Sequence, residues 1–471
     1  MADTITDYQG NRIDVGGSVT IQRQLLSGTQ IAKINGIQIF APTPSGGGGG
    51  GGTTQDIKIQ IPGKVFAVVG TELNIWNDAV TLSIDRGLQS PLNYYVEWNC
   101  AKGKVFNRCF RIKPVAADVG TYNCTCTIYD MNGVQLDSKT FQLIILPNTN
   151  SLSKNILFVG DSTGTGTYQG IVADFNDVNR FSGATKPKIH DESTGGWHWG
   201  LYSGEGVVYQ RVQVSGIGSL NVGARYVDGQ NNLFDIKEVN ITEGSGNVLI
   251  GKAYRPPYGY NPLTVPSGTL TKESGNGDST FSYSNGVNEA GNPFWNTAAN
   301  KLDIAFYRNN KGISDKFDMV IFQLGINSNH VINTAGEMER QILSLYSAFM
   351  ADNPNCLFVL GCTPQSTNDH SAAGANYGAE SGWGLKYAKN EYKIRDLYFS
   401  LADNEEYPNI KVIGENLCID RWYGYPTAAR DISDRVSEDE TVHTNYVHPA
   451  SSGYAQLGDA VFASIIGMFN N

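Results

Sequence analysis

The chain has 471 residues, with 54 glycines, 24 tyrosines, 17% charged residues and a net charge of −10. That length predicts two or three domains, and the composition predicts a β-rich, loop-rich surface of extracellular type. An acidic balance with no Lys/Arg stripe argues against nucleic acid and anionic membranes as partners, and no apolar run reaches the length of a membrane-spanning helix.

Residues 1–45 are polar and β-leaning. SGTQIAKINGIQIFAP reads as two short strands about Asn35-Gly36, a hairpin-turn dipeptide. Seven consecutive glycines follow at 46–52. The glycines alone span about 14 Å root-mean-square, and 46–55 reads as a flexible linker. The start MADTITDYQGNR lacks the charged-then-apolar pattern of a signal peptide. GTQIAKINGIQIFAP resembles short N-terminal modules that precede glycine tracts in bacteriophage virion appendage proteins. The resemblance implies an attachment segment that binds virion proteins, and a virion or extracellular location reached by another route, such as lysis.

Residues 56–148 alternate apolar and polar positions in short runs (KVFAVVG, NYYVEWNC, TYNCTCTIYD, FQLIIL), which predicts a β-sandwich. Asp118-Val119-Gly120-Thr121-Tyr122-Asn123-Cys124 resembles the corner motif of immunoglobulin-like domains, with Trp98 in the place of the core tryptophan. No cysteine lies in the strand before Trp98. Cys124 is therefore expected either as a buried thiol or in an unusual pair with a neighbour. The domain reads first as a spacer and second as a binding module.

From 149 to 471 the pattern becomes buried strands (ILFVG, DMVIFQL, CLFVLGC, IKVIGE) alternating with helical segments such as 337–350 and 454–468. That alternation predicts a parallel sheet covered on both faces. About 205–300 is rich in Gly, Asn, Ser and Tyr. It reads as a β-hairpin insertion shaping a cleft over the site, or as a merely structural loop. Three points in this region carry chemistry. The ILFVG strand ends in Gly160-Asp161-Ser162, FDMVIFQLGIN ends in Gly325-Ile326-Asn327, and Val447-His448-Pro449 precedes the last helical segment. A serine needs a base to take its proton, and among six histidines His448 is favoured over its neighbour His443.

These segments resemble the SGNH (GDSL-type) hydrolases, esterases and carbohydrate deacetylases on a flavodoxin-like α/β sheet, over about the last two-thirds of the chain. The expected fold is thus multidomain: an immunoglobulin-like β-sandwich, then an α/β flavodoxin-like three-layer domain with a β-rich insertion. The resemblance implies Ser162 as nucleophile and His448 as base. It implies an oxyanion hole formed by the N–H groups of Ser162 and Gly196 and the side-chain amide of Asn327. Two positions depart from the family pattern: Ser328 stands where it usually has Asp, and Asn445 stands at the place of the triad acid. Three explanations stay open. A carboxylate from the preceding loop (Asp420, Asp434, Asp439 or Glu440) serves as the acid, or a dyad uses a backbone carbonyl, or the site keeps only binding.

Trp197, Trp199 and Trp422, with Tyr202, Trp383, Tyr423 and Tyr425, cluster in loops expected near the site, and aromatic faces stack on sugar rings. The seven cysteines show no CxxC spacing, and His190/His198 is a poor metal pair. The expected activity is a metal-free and cofactor-free serine esterase acting on an acylated polysaccharide, with a homo-oligomer as a further expectation. The alternative is a glycan-binding or structural virion protein on a decayed hydrolase domain.

Overall fold

The computed structural model describes residues 57–83, 87–88, 94–130, 132–204, 208–229, 233–252, 267–328, 335–364, 366–367, 372 and 383–470, and five short strands before residue 41. Met1–Thr54 forms one compact unit and Gln55–Asn471 another. In the first, Thr29–Ile34 pairs antiparallel with Ile37–Phe40, Ile34 opposite Ile37, and Ile21–Leu26 pairs on its other side. Asn35-Gly36 and the glycine tract lie outside the described residues.

In the second unit, the alternating runs between 57 and 146 form a sandwich of short sheets. Tyr95–Asn99, Gly120–Tyr129, Gln135–Leu146 and Lys64–Val68 make one sheet, and Lys104–Val105, Cys109–Ile112 and Leu73–Trp76 another. Trp98 stacks on Phe110 (5.2 Å between rings) and meets Phe141 edge-on. The Tyr122 hydroxyl donates to the Asp118 carbonyl at 3.0 Å, the backward bond of a tyrosine corner. Cys124 bonds to Cys100, two residues beyond Trp98. The unusual neighbour pair, not the free thiol, is realised.

The sandwich packs directly on the α/β domain. Leu417, Cys418 and Ala460 complete its core, while its own Phe66, Val68, Ile144 and Leu146 pack into the core of the α/β domain. The Trp76 indole donates to the Cys418 carbonyl at 2.9 Å.

The α/β sheet has five parallel strands, in spatial order Lys188–Asp191, Asn155–Gly160, Met319–Gln323, Leu357–Gly361, Ile410–Ile413. In chain order this is 2-1-3-4-5. Alternate residues point to opposite faces. Leu157, Val159, Val320 and Phe322 meet residues of helices Ala335–Asp352 and Trp383–Ala402. Ile156, Phe158, Met319 and Ile321 meet helices Gly164–Asn176 and Ser451–Asn470. Both faces are covered, which is why the central strands run apolar from Ile156 to Val159, from Met319 to Phe322 and from Leu357 to Leu360. Among the described residues, no helix is long and apolar enough to cross a membrane.

The insertion differs from the expected hairpin. Val208–Val214, Arg225–Val227, Leu233–Thr242, Ser245–Lys252, Gly268–Ser274 and Thr280–Ala290 close into a six-stranded antiparallel barrel. It has its own core around Val212, Tyr226, Ile236, Val248 and Leu270. Closure leaves no unpaired edge, the physical reason for a barrel over an isolated hairpin. At its stem the Asn292 amide donates to the Tyr202 carbonyl at 2.6 Å.

Candidate active site

Ser162 stands two residues beyond strand Asn155–Gly160, at the carboxyl edge of the sheet, and Asn327 stands four beyond the neighbouring strand Met319–Gln323. Between these two strands the order of the sheet reverses, the place where such sheets open a crevice. The turn that presents Ser162 is built by Asp161. Its Oδ1 accepts from the Thr163 N–H (2.9 Å) and hydroxyl (2.7 Å), and its carbonyl accepts from the Gly164 N–H. Gly160 is required there, because a Cβ would stand 2.7 Å from Gly164 Cα and 2.8 Å from Ser193 Oγ. Asp161 is fully buried, its Oδ2 has no hydrogen-bond partner among the described residues, and burial raises its carboxyl to about 6.

His448 Nε2 lies 2.8 Å from Ser162 Oγ. With the ring proton on Nδ1, Nε2 accepts from the hydroxyl and can take its proton. Burial lowers the His448 pKa below the ordinary histidine value, so the ring is held in the neutral form a base needs. The rival His443 instead places Nε2 2.5 Å from the Trp422 carbonyl. The other paired rings are also engaged elsewhere: His190 with Asn155 (2.9 Å), and His198 Nδ1 with the Gly200 N–H (3.1 Å).

Gly196 has φ +78°, a left-handed backbone that favours glycine. Its loop is anchored to the Ser162 strand by Glu192 N–H to Phe158 O (2.9 Å) and Thr194 N–H to Gly160 O (3.0 Å). A Cβ on neighbouring Gly195 would lie 3.8 Å from Ser162 Cβ, so the loop runs alongside Ser162. The Asn327 amide donates to the Trp197 carbonyl at 3.1 Å, tying the second strand end to the same loop. One amide hydrogen remains. Among the described residues, the N–H groups of Ser162 and Gly196 donate to no acceptor.

The acid position resolves differently from any carboxylate reading. Asn445 Oδ1 accepts from the N–H groups of Val447 (3.0 Å) and His448 (2.8 Å), so it holds the main chain and not the ring. Asp420 is taken by Arg108 of the sandwich (2.5 and 3.3 Å). Asp439 is exposed opposite Asp431 on the hairpin Thr427–Ser433/Val436–His443, Asp434 is exposed at its tip, and Glu440 binds Arg430 at 2.6 Å. Among the described residues, no hydrogen bond reaches His448 Nδ1. An Asn two residues before an N–H it accepts is an Asx turn, and the Asn445-x-Val447 spacing carried that signal.

The expected sugar-binding tryptophans divide. Trp197 is 5% exposed, and Trp199, fully buried, donates from its indole to the Tyr398 hydroxyl at 2.6 Å. Both are core residues, because their rings have no face toward solvent. Tyr202 and Tyr425 are buried as well. Trp422 and Tyr423 are the exposed pair. Among the described residues, no three His, Cys, Asp or Glu side chains converge to hold a metal ion.

No protein-family model matches the chain, and no curated protein matches it. Among solved structures it is similar to one titled "Peptidoglycan O-acetylesterase in action", at 11% identity over 68% of this chain and 93% of that one, with a TM-score of 0.25. Tandem Ig repeats of Dlar match at 10% identity over 50% of this chain and 97% of theirs (TM-score 0.14). The D00-D0 domain of Intimin matches at 12% over 50% and 98% (TM-score 0.15).

Proposed function

We propose that the chain is a serine esterase that removes O-acyl groups, O-acetyl above all, from a polysaccharide through an acyl-serine intermediate. The observation that carries this reading is the 2.8 Å contact between Ser162 Oγ and His448 Nε2 at the carboxyl edge of the sheet. The 2-1-3-4-5 strand order, that of flavodoxin-like sheets, supports the SGNH-type assignment made from the motifs.

In the first step Ser162 Oγ attacks the ester carbonyl carbon while His448 Nε2 takes the hydroxyl proton. The carbonyl oxygen becomes an oxyanion facing the N–H groups of Ser162 and Gly196 and the Asn327 amide, each such donor worth about 3 kcal/mol. The intermediate collapses, His448 protonates the departing sugar oxygen, and acyl-Ser162 remains. Water then attacks with the same base, releasing the carboxylate and restoring the hydroxyl.

The polysaccharide assignment is supported by the exposed aromatic pair beside the His448 loop. Attachment to virion proteins through the N-terminal unit, an extracellular or virion location and a homo-oligomer belong to the same reading and rest on the N-terminal sequence alone. The absence of a partner on His448 Nδ1 among the described residues favours a second reading, a glycan-binding protein on a decayed hydrolase domain.

One assay separates them. Ser162→Ala should lower p-nitrophenyl acetate hydrolysis by several orders of magnitude with the fold intact. A phosphonofluoridate should add one mass equivalent to the wild type and none to the variant. Equal rates in the two proteins would overturn the esterase reading.

A further inference from the structure

We propose that Trp422 and Tyr423 form a stacking platform for a sugar ring next to the acylated one, and that the β-sandwich holds this platform in place through Arg108. The inference rests on the esterase reading above. Trp422 is 47% and Tyr423 77% exposed. Adjacent large rings in water lose the hydrophobic gain that the chain obtains elsewhere by burying Trp197 and Trp199.

Their turn is built, not loose. Asp420, with its side chain 5% exposed, accepts from the N–H groups of Trp422 (2.9 Å) and Tyr423 (3.3 Å). The same carboxylate takes both terminal nitrogens of Arg108, at 2.5 and 3.3 Å. The guanidinium of Arg108 lies 4.9 Å from the Trp76 ring and 5.3 Å from the Tyr423 ring, between a buried aromatic of the sandwich and the exposed one. A planar cation between two rings fixes Tyr423 in orientation as well as position.

The turn is also fastened to the catalytic loop. The Ala450 N–H donates to the Gly424 carbonyl (2.8 Å), and the Ser452 hydroxyl to the Tyr423 carbonyl (3.2 Å). Ala450 is two residues from His448. A glycan whose acyl group lies at Ser162 would therefore carry its neighbouring units across these rings. Aromatic faces meet the apolar C–H faces of pyranose rings, so the ligand class is an uncharged sugar of the same polysaccharide. The sandwich then serves as part of the substrate site, which gives its shared core a function.

The test uses the full chain and acetylated cello-oligosaccharides of one to six units. In the wild type, kcat/KM should rise with length. Tyr423→Ala should lower the value for the hexasaccharide about tenfold relative to that for the single sugar, through KM rather than kcat. Arg108→Ala should do the same, and Arg108→Lys, which keeps the charge without the planar fork, should fall between. No length dependence in the wild type, or an equal loss at every length, would overturn the platform and leave the esterase reading standing. If no Ser162-dependent hydrolysis exists, calorimetry with unacetylated cellohexaose decides: binding weakened by Tyr423→Ala supports the platform, and absent or unchanged binding refutes it.

Discussion

Asn445 Oδ1 accepts the main-chain N–H of His448 at 2.8 Å, so the residue at the acid's place in the resembled family supports the histidine's backbone and leaves its ring alone. Among the described residues no carboxylate bonds the imidazole, and burial is what lowers its pKa. On the esterase reading a neutral base is thereby ready for attack, yet the imidazolium formed in that step gains no counter-charge. An acid in a triad both orients the ring and stabilises that cation. Here the Ser162 contact fixes one ring nitrogen, and the second task has no charged agent.

Asn445→Asp tests that division. The new carboxylate has the same shape, so one oxygen can keep both backbone N–H groups of Val447 and His448. Its charge favours imidazolium and raises the His448 pKa. A higher base pKa means that more alkaline solution is needed to free the base. The acid limb of the kcat/KM profile on p-nitrophenyl acetate should therefore move to higher pH. The plateau should rise several-fold, because the cation formed during attack is now stabilised. An unmoved limb with a lower plateau would show that residue 445 acts only on the loop.

How far the sequence could be read follows from where its signals are local. Strand ends followed by Gly-Asp-Ser and Gly-Ile-Asn, and His448 just before a helix, are local patterns. They lie together at one sheet edge, with Ser162 and His448 in contact. The tyrosine corner is equally local, since Tyr122 reaches back four residues. Pairing between distant segments was not legible. The barrel needs Val208–Val214 to meet Thr280–Ala290, and nothing in either strand names the other. Asp420 looked like a free loop carboxylate because its partner, Arg108, is 312 residues away. Trp197 and Trp199 carry the same composition signal as Trp422. Only packing against residues such as Tyr398 separates core rings from exposed ones.

Asn327 offers a test of the oxyanion donors. Its amide donates one hydrogen to the Trp197 carbonyl, and on the esterase reading the other serves the oxyanion. Asn327→Ala should lower kcat by about 10²–10³, the loss typical of one such donor, with KM little changed. The lost Trp197 bond should cost about 1 kcal/mol of stability, too little to unfold a domain of this size. Steady-state kinetics beside a urea titration would check both. A rise in KM at constant kcat would mean that Asn327 binds the ground state and not the oxyanion.

Asp161 makes stability depend on pH in a direction unusual for a carboxylate. Burial raises its folded-state pKa to about 6, and one oxygen has no hydrogen-bond partner among the described residues, while in the unfolded chain it titrates near its ordinary value of 3.8. Between those values the folded chain binds a proton that the unfolded chain does not. Its contribution is therefore fully present below the unfolded value and is lost as pH rises through about 6. The whole shift corresponds to about 3 kcal/mol, of which roughly half falls between pH 5 and pH 8. Asp161→Asn keeps an oxygen for the Thr163 N–H and hydroxyl but cannot ionise. Urea unfolding of both proteins at pH 5 and pH 8 isolates the residue, because every other titrating group cancels in the comparison. The wild type should lose on the order of 1 kcal/mol more than the variant over that interval. A difference that stays constant with pH would mean that Asp161 is ionised throughout, held by the Thr163 bonds despite its burial.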